Sequence, residues 1–117
     1  MNDDFGAFLP LAPATLHILL TLAAEDLHGY GIMQEVARQS QGRYKLGPGT
    51  LYDNLQRLMK QGMVDEVDGR AKDEHSRRRY YRLSSLGRRV LSAEIARLEG
   101  VVKEARLHLK APHPRRA

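Results

Sequence analysis

Apolar residues recur at helical spacing in four places along this 117-residue chain. Leu16, Leu19, Leu20 and Ala23 fall at i, i+3, i+4 and i+7 behind Pro13, a residue suited to a first helical turn. They predict an amphipathic helix over about 13–25. After the run His28-Gly29-Tyr30-Gly31, Ile32, Met33, Val36 and Ala37 repeat the pattern until Gln39-Ser40-Gln41-Gly42 ends it, which gives a short second helix over about 29–40. The third helix starts at Pro48, carries Leu51, Leu55, Leu58 and Met59 on one side, and stops at Gly62, a residue suited to a left-handed C-terminus. The period then shortens. Met63-Val64 and Val67, followed by Tyr81 and Leu83 around Arg82, alternate as two half-buried strands. The polar stretch Gly69 to Ser76 is too long for a tight turn and makes the hairpin carry a protruding loop. Ser84 or Ser85 then caps a last helix whose apolar residues Leu91, Ile95, Leu98, Val102, Ala105 and Leu109 are spaced as a heptad seam. The seam is too short for an independent coiled coil, and Gly100 weakens its middle by about 1 kcal/mol relative to alanine, so it needs a partner surface.

Helix, helix, helix, hairpin, helix is the order of a winged helix-turn-helix. The expected fold is therefore mainly α with a small β-hairpin: a winged helix-turn-helix over residues 10–84 and a long C-terminal helix over 85–109. Flexible ends are expected at 1–9 and 110–117, which have little to bury. With 42% hydrophobic and 28% charged residues the chain fits one domain. A chain this short buries only about two-thirds of its unfolded surface, so a second subunit adds useful burial. Cysteine is absent, which excludes disulfides and thiolate chemistry. Asp3 and Asp4 stand where a signal peptide carries positive charge, and no apolar stretch reaches the roughly 18 residues of a membrane span. A soluble, cytoplasmic protein without a membrane partner is expected.

Charge placement adds function to the pattern. The formal net charge is +5, from 19 basic and 14 acidic residues. Between Arg70 and Arg89, eight basic residues stand against Asp73 and Glu74, whereas the rest of the chain has 11 basic and 12 acidic. All the excess lies on the wing and the start of the last helix, where it can neutralise phosphates and release counterions. On the third helix, Asp53, Gln56, Arg57 and Lys60 project opposite the leucines, with Thr50, Tyr52 and Asn54 flanking them near the end that meets base edges in a recognition helix. Thr50, Tyr52, Asn54, Gln56 and Arg57 are the candidate base readers, and Lys60 a phosphate contact. In the second strand, alternation places Arg77 and Arg79 on one face for phosphates and leaves Arg78 to pair with Asp65, Glu66 or Asp68; Tyr81 is expected inside.

No phosphate loop, no serine-centred elbow and no carboxylate pair with a separate binding domain is present, so no enzyme and no cofactor are expected. His17, His28, His75, His108 and His113 lack metal-binding spacing; His28 is expected to close the turn between the first two helices. Asp73-Glu74-His75 reads as a polar loop. A winged helix used for RNA or protein contacts is the alternative, and preference for a duplex palindrome separates the two readings.

His28-Gly29-Tyr30, then Leu46-Gly47-Pro48-Gly49-Thr50-Leu51-Tyr52 with Leu55, Arg57-Leu58 and Gly62, then Arg79-Tyr80-Tyr81-Arg82-Leu83 with Gly87, resemble the PadR family of bacterial transcriptional regulators over about residues 12–92. The resemblance implies a homodimeric repressor of the short branch with one C-terminal helix. It further implies double-stranded DNA with an inverted repeat as partner, the third helix in the major groove, and dimerisation through the seam from Leu91 to Leu109. Two positions depart from the family pattern: Asp53 where an uncharged residue is usual, and Gly31 where an acidic one is. A small-molecule effector is left open. The chain has no tryptophan, so relatives that hold flat aromatic effectors between tryptophans are no guide to one.

Overall fold

A computed structural model describes residues 5–68 and 79–112. After a single 3-10 turn at Gly6–Phe8 come α1 (Pro13–Ala24), β1 (Leu27–His28), α2 (Gly29–Gln39), α3 (Pro48–Lys60), β2 (Val64–Val67), β3 (Tyr80–Leu83) and α4 (Ser85–Lys110). The winged helix-turn-helix order is as expected from the sequence. The sheet, however, has three antiparallel strands in the order β1-β3-β2, not two. The extra strand is the two-residue β1, which pairs Leu27 with Tyr81 and His28 with Tyr80, so the sheet is stitched to the turn between α1 and α2.

The helix ends follow from local chemistry. Pro13 and Pro48 occupy first turns, where a missing N–H costs nothing. His28 caps α2, its Nδ1 accepting from the Gly31 N–H at 3.0 Å. At the end of α3, Gly62 takes φ +79°, and the Met63 N–H returns to the Leu58 carbonyl at 2.9 Å, a left-handed helix stop. Ser84 is the cap of α4. Its hydroxyl accepts from the Gly87 N–H at 3.0 Å and donates to the Gly62 carbonyl at 2.6 Å, so one side chain joins the end of α3 to the start of α4. Gly87 itself lies against the Met63 carbonyl with no room for a Cβ.

The core is built from Ile18, Leu19 and Leu22 of α1, Ile32 and Val36 of α2, Leu51, Leu55 and Leu58 of α3, Met63, Val64, Tyr81 and Leu83 of the wing, and Val90 and Leu91 of α4. Helix α1 touches α2, α3, α4 and β3. Its buried residues are Ala14, Thr15, Ile18, Leu19, Thr21 and Leu22, whereas Leu16, Leu20 and Ala23 are half-buried at the margin. The periodicity had put the seam on the latter three with Leu19; a helix that is apolar nearly all round does not reveal which side faces the centre. Beyond Glu94, α4 leaves the domain: Leu98 is half-buried and the other residues of 95–110 are exposed. The longest dimension is accordingly 70 Å.

Candidate nucleic-acid interface

Helix α3 turns Leu51, Leu55 and Leu58 inward, and this fixes its outer side. Thr50, Tyr52, Asp53, Gln56, Arg57 and Lys60 are exposed there. One candidate reader is misplaced by the sequence reading. Asn54 is buried at 7% exposure, its Oδ1 accepting from the Thr15 hydroxyl at 2.9 Å and from Arg57 Nη2 at 2.6 Å, while its Nδ2 donates to the Thr50 carbonyl at 2.8 Å. An amide so engaged does not reach a base edge. The signal was available, because at 100° per residue Asn54 falls next to Leu58 on the inner side.

Tyr52 packs its hydroxyl end over Gly29, where a Cβ would collide with it. The close approach locks α3 against the start of α2, the contact that makes two helices a helix-turn-helix. Tyr30, the next residue on α2, is exposed, as are Arg43 and Lys45 before α3. These three extend the polar and basic rim beyond the residues picked from sequence.

The wing lies beside α3, with Tyr52, Gln56 and Met59 on one side of a small cleft and Glu66, Arg79 and Tyr81 on the other. Tyr81 is buried as expected, and burial, with Tyr52 acting in the same direction, pushes its phenol above the ordinary tyrosine range. Tyr80 meets the His28 ring edge-on at 5.4 Å between centroids. Arg79 is exposed, 3.6 Å from Glu66. Arg77 and Arg78 lie outside the described residues. Arg82, counted among the basic residues of the wing, is held by Asp26 through both carboxylate oxygens, at 2.8 Å from Nη2 to Oδ2. That bond raises the Arg82 pKa and partly spends its charge within the protein. The partners are 56 positions apart, so nothing local in the sequence pairs them.

The seam of α4 divides in two. Leu91, assigned to dimerisation, lies in the chain's own core with Val90, because it is still over α1 and the sheet. Ile95, Val102, Ala105 and Leu109 are exposed and Leu98 half-buried; of these, Ile95, Leu98 and Val102 line a groove with Glu99, Lys103 and Arg106. At the division stands Glu94, a buried carboxylate missed in the sequence. It accepts from the Leu11 N–H at 2.8 Å and from Arg97, and the Arg97 guanidinium, helped by Leu11, holds it below the usual carboxylate range despite burial.

Residues 18–93 match the transcriptional regulator PadR-like family. The transcriptional regulator Rv3488 of Mycobacterium tuberculosis is 39% identical over 97 residues, which cover 80% of this chain and 82% of that protein. A solved transcriptional regulator from Clostridium thermocellum superposes with a TM-score of 0.67 at 26% identity, over 93% of this chain and 100% of its own. A PadR family regulator from Clostridium difficile R20291, 24% identical, shares the fold with a TM-score of 0.68 over 84% and 99% of the two chains. An exposed helix outside a helix-turn-helix, a neighbouring wing and matches over most of the chain agree: this protein is a transcriptional regulator of the PadR family.

Proposed function

We propose that the protein is a cytoplasmic homodimeric repressor that binds an inverted repeat in double-stranded DNA. The observation that carries the reading is the outer side of α3, where Thr50, Tyr52, Gln56, Arg57 and Lys60 stand exposed beside the wing. Thr50, Tyr52, Gln56 and Arg57 face base edges in the major groove, and Lys60 contacts phosphate. Arg77 and Arg79 neutralise phosphates from the wing. The exposed seam of Ile95, Leu98, Val102, Ala105 and Leu109 pairs with its copy, and the two-fold presents both α3 helices to one side of the duplex.

Selection from a library of random duplexes, followed by footprinting on the DNA flanking the protein's own coding region, tests this. The expected product is an inverted repeat whose half-site centres lie about 10 base pairs, or a multiple of that, apart. Gln56→Ala should cost about 1–3 kcal/mol on that site and little on random DNA. Transcription from the footprinted promoter should rise on loss of the protein. A selection that returns no palindrome counts against the dimeric reading, and equal losses on both duplexes remove Gln56 from the readers.

A further inference from the structure

We propose that Asn54, from its buried position under α3, sets the direction in which Arg57 meets DNA, and that Thr15 of α1 holds Asn54 in place. This rests on the DNA-contacting role of α3 proposed above. The orientation of the amide is dictated by its partners. The Thr50 carbonyl only accepts, so Nδ2 faces it; the Arg57 guanidinium only donates, so Oδ1 faces it; the Thr15 hydroxyl then donates to the same oxygen. Reversing the amide would set two donors against each other at Arg57 and two acceptors at Thr50.

The bond from Arg57 runs back three residues, which draws the guanidinium toward the N-terminal half of α3. Among the described residues no carboxylate pairs with Arg57. A guanidinium carries five donors, and because Arg57 is exposed, at the edge of a shallow cleft with Ala12 and Thr15 of the α1 start, the donors not facing Asn54 are open to a ligand. Arg57 is thus charged, unpaired by acid and restrained before DNA arrives, which lowers the ordering cost of the contact. Thr15 is buried at 7% exposure and belongs to α1, so the restraint is anchored in the centre of the domain and not on α3 alone. Asn54 and Thr15 are positioning residues; of these three side chains, Arg57 alone touches the ligand.

A double-mutant cycle on the duplex selected by the wild-type protein separates positioning from folding. Arg57→Ala should weaken binding by about tenfold or more. Asn54→Ala should weaken it roughly two- to tenfold when Arg57 is present, and leave it almost unchanged when Arg57 is already alanine. Thr15→Val, which keeps the volume of a buried side chain, should give a smaller loss with the same dependence on Arg57, and stands in should Asn54→Ala fail to fold. In the free protein, the heteronuclear NOE of the Arg57 Nε–H should be rigid in wild type and fall in both variants. Equal losses with and without Arg57, a full affinity in Asn54→Ala, or an indifferent Arg57→Ala each overturn the proposal. A wild-type protein that selects and binds no duplex overturns the reading of α3 beneath it, and the proposal with it.

Discussion

Val102→Glu is the sharpest perturbation of the proposed dimer, because it strikes the seam where α4 no longer belongs to the folded domain. Val102 is 46% exposed and Leu109 85%, whereas Leu98 is half-buried against its own chain, so a change at 98 would mix folding with association. Covering the exposed part of Val102 in a dimer is worth about 1 kcal/mol per protomer. The new carboxylate adds the cost of losing water. That cost has a ceiling, since a buried acid escapes by taking up a proton; moving a pKa from about 4 to 7 is about 4 kcal/mol. Lys103 and Arg106 in the same groove reduce the penalty and Glu99 increases it. Two-fold symmetry applies the change twice. Even a net 3 kcal/mol per dimer raises the dissociation constant more than a hundredfold, which turns a micromolar dimer into a monomer at working concentrations. Sedimentation at tens of micromolar should find dimeric wild type and monomeric Val102→Glu, with helical content by circular dichroism retained in the variant. A monomeric wild type, or a variant that remains dimeric, refutes the assignment of this seam.

Three further outcomes are expected. Replacing Arg77 and Arg79 by alanine removes four phosphate contacts per dimer and should flatten the slope of log affinity against log salt by about 0.9 per contact, whereas Arg82→Ala, its partner being Asp26, should leave the slope nearly unchanged; titrations at several salt concentrations read both. Glu94 has a folded-state pKa below its unfolded one, so its contribution to stability is present above the ordinary carboxylate range and is lost as pH falls through the depressed value; urea unfolding below about pH 4 should show a steeper acid decline in wild type than in Glu94→Gln. Gly87→Ala drives a methyl group into the Met63 carbonyl and should cost about 1–3 kcal/mol in urea unfolding, with the loss appearing even in the monomeric Val102→Glu background.

What the sequence made legible was whatever short-range periodicity and punctuation encode. Helices α2 and α3, the stop at Gly62, the cap at Ser84 and the inward Tyr81 all follow from residues a few positions apart. The two-residue β1 escaped because alternation cannot be detected in two residues, and its partner strand lies more than 50 positions away. The orientation of α1 escaped because leucine, isoleucine and alanine surround it. Asn54 was misassigned for a different reason: a polar side chain on the inner margin of a helix looks like a ligand contact until Thr15, from another helix, satisfies it. Leu91 and Ile95 belong to one heptad pattern, yet only the packed structure shows that the domain ends between them.

The hydroxyl of Ser84 has a consequence for the proposed operator. By capping α4 while donating to the Gly62 carbonyl just past α3, it ties the helix proposed to read DNA to the helix proposed to pair the subunits. In the proposed dimer such a joint works as a caliper: the opening between the two reading heads is set by the angle at which the α4 helices cross, and a small rotation at the seam is magnified at the tips. The permitted spacing of half-sites is then a mechanical property of the protein, written at one serine and a helix crossing instead of in any residue that touches a base.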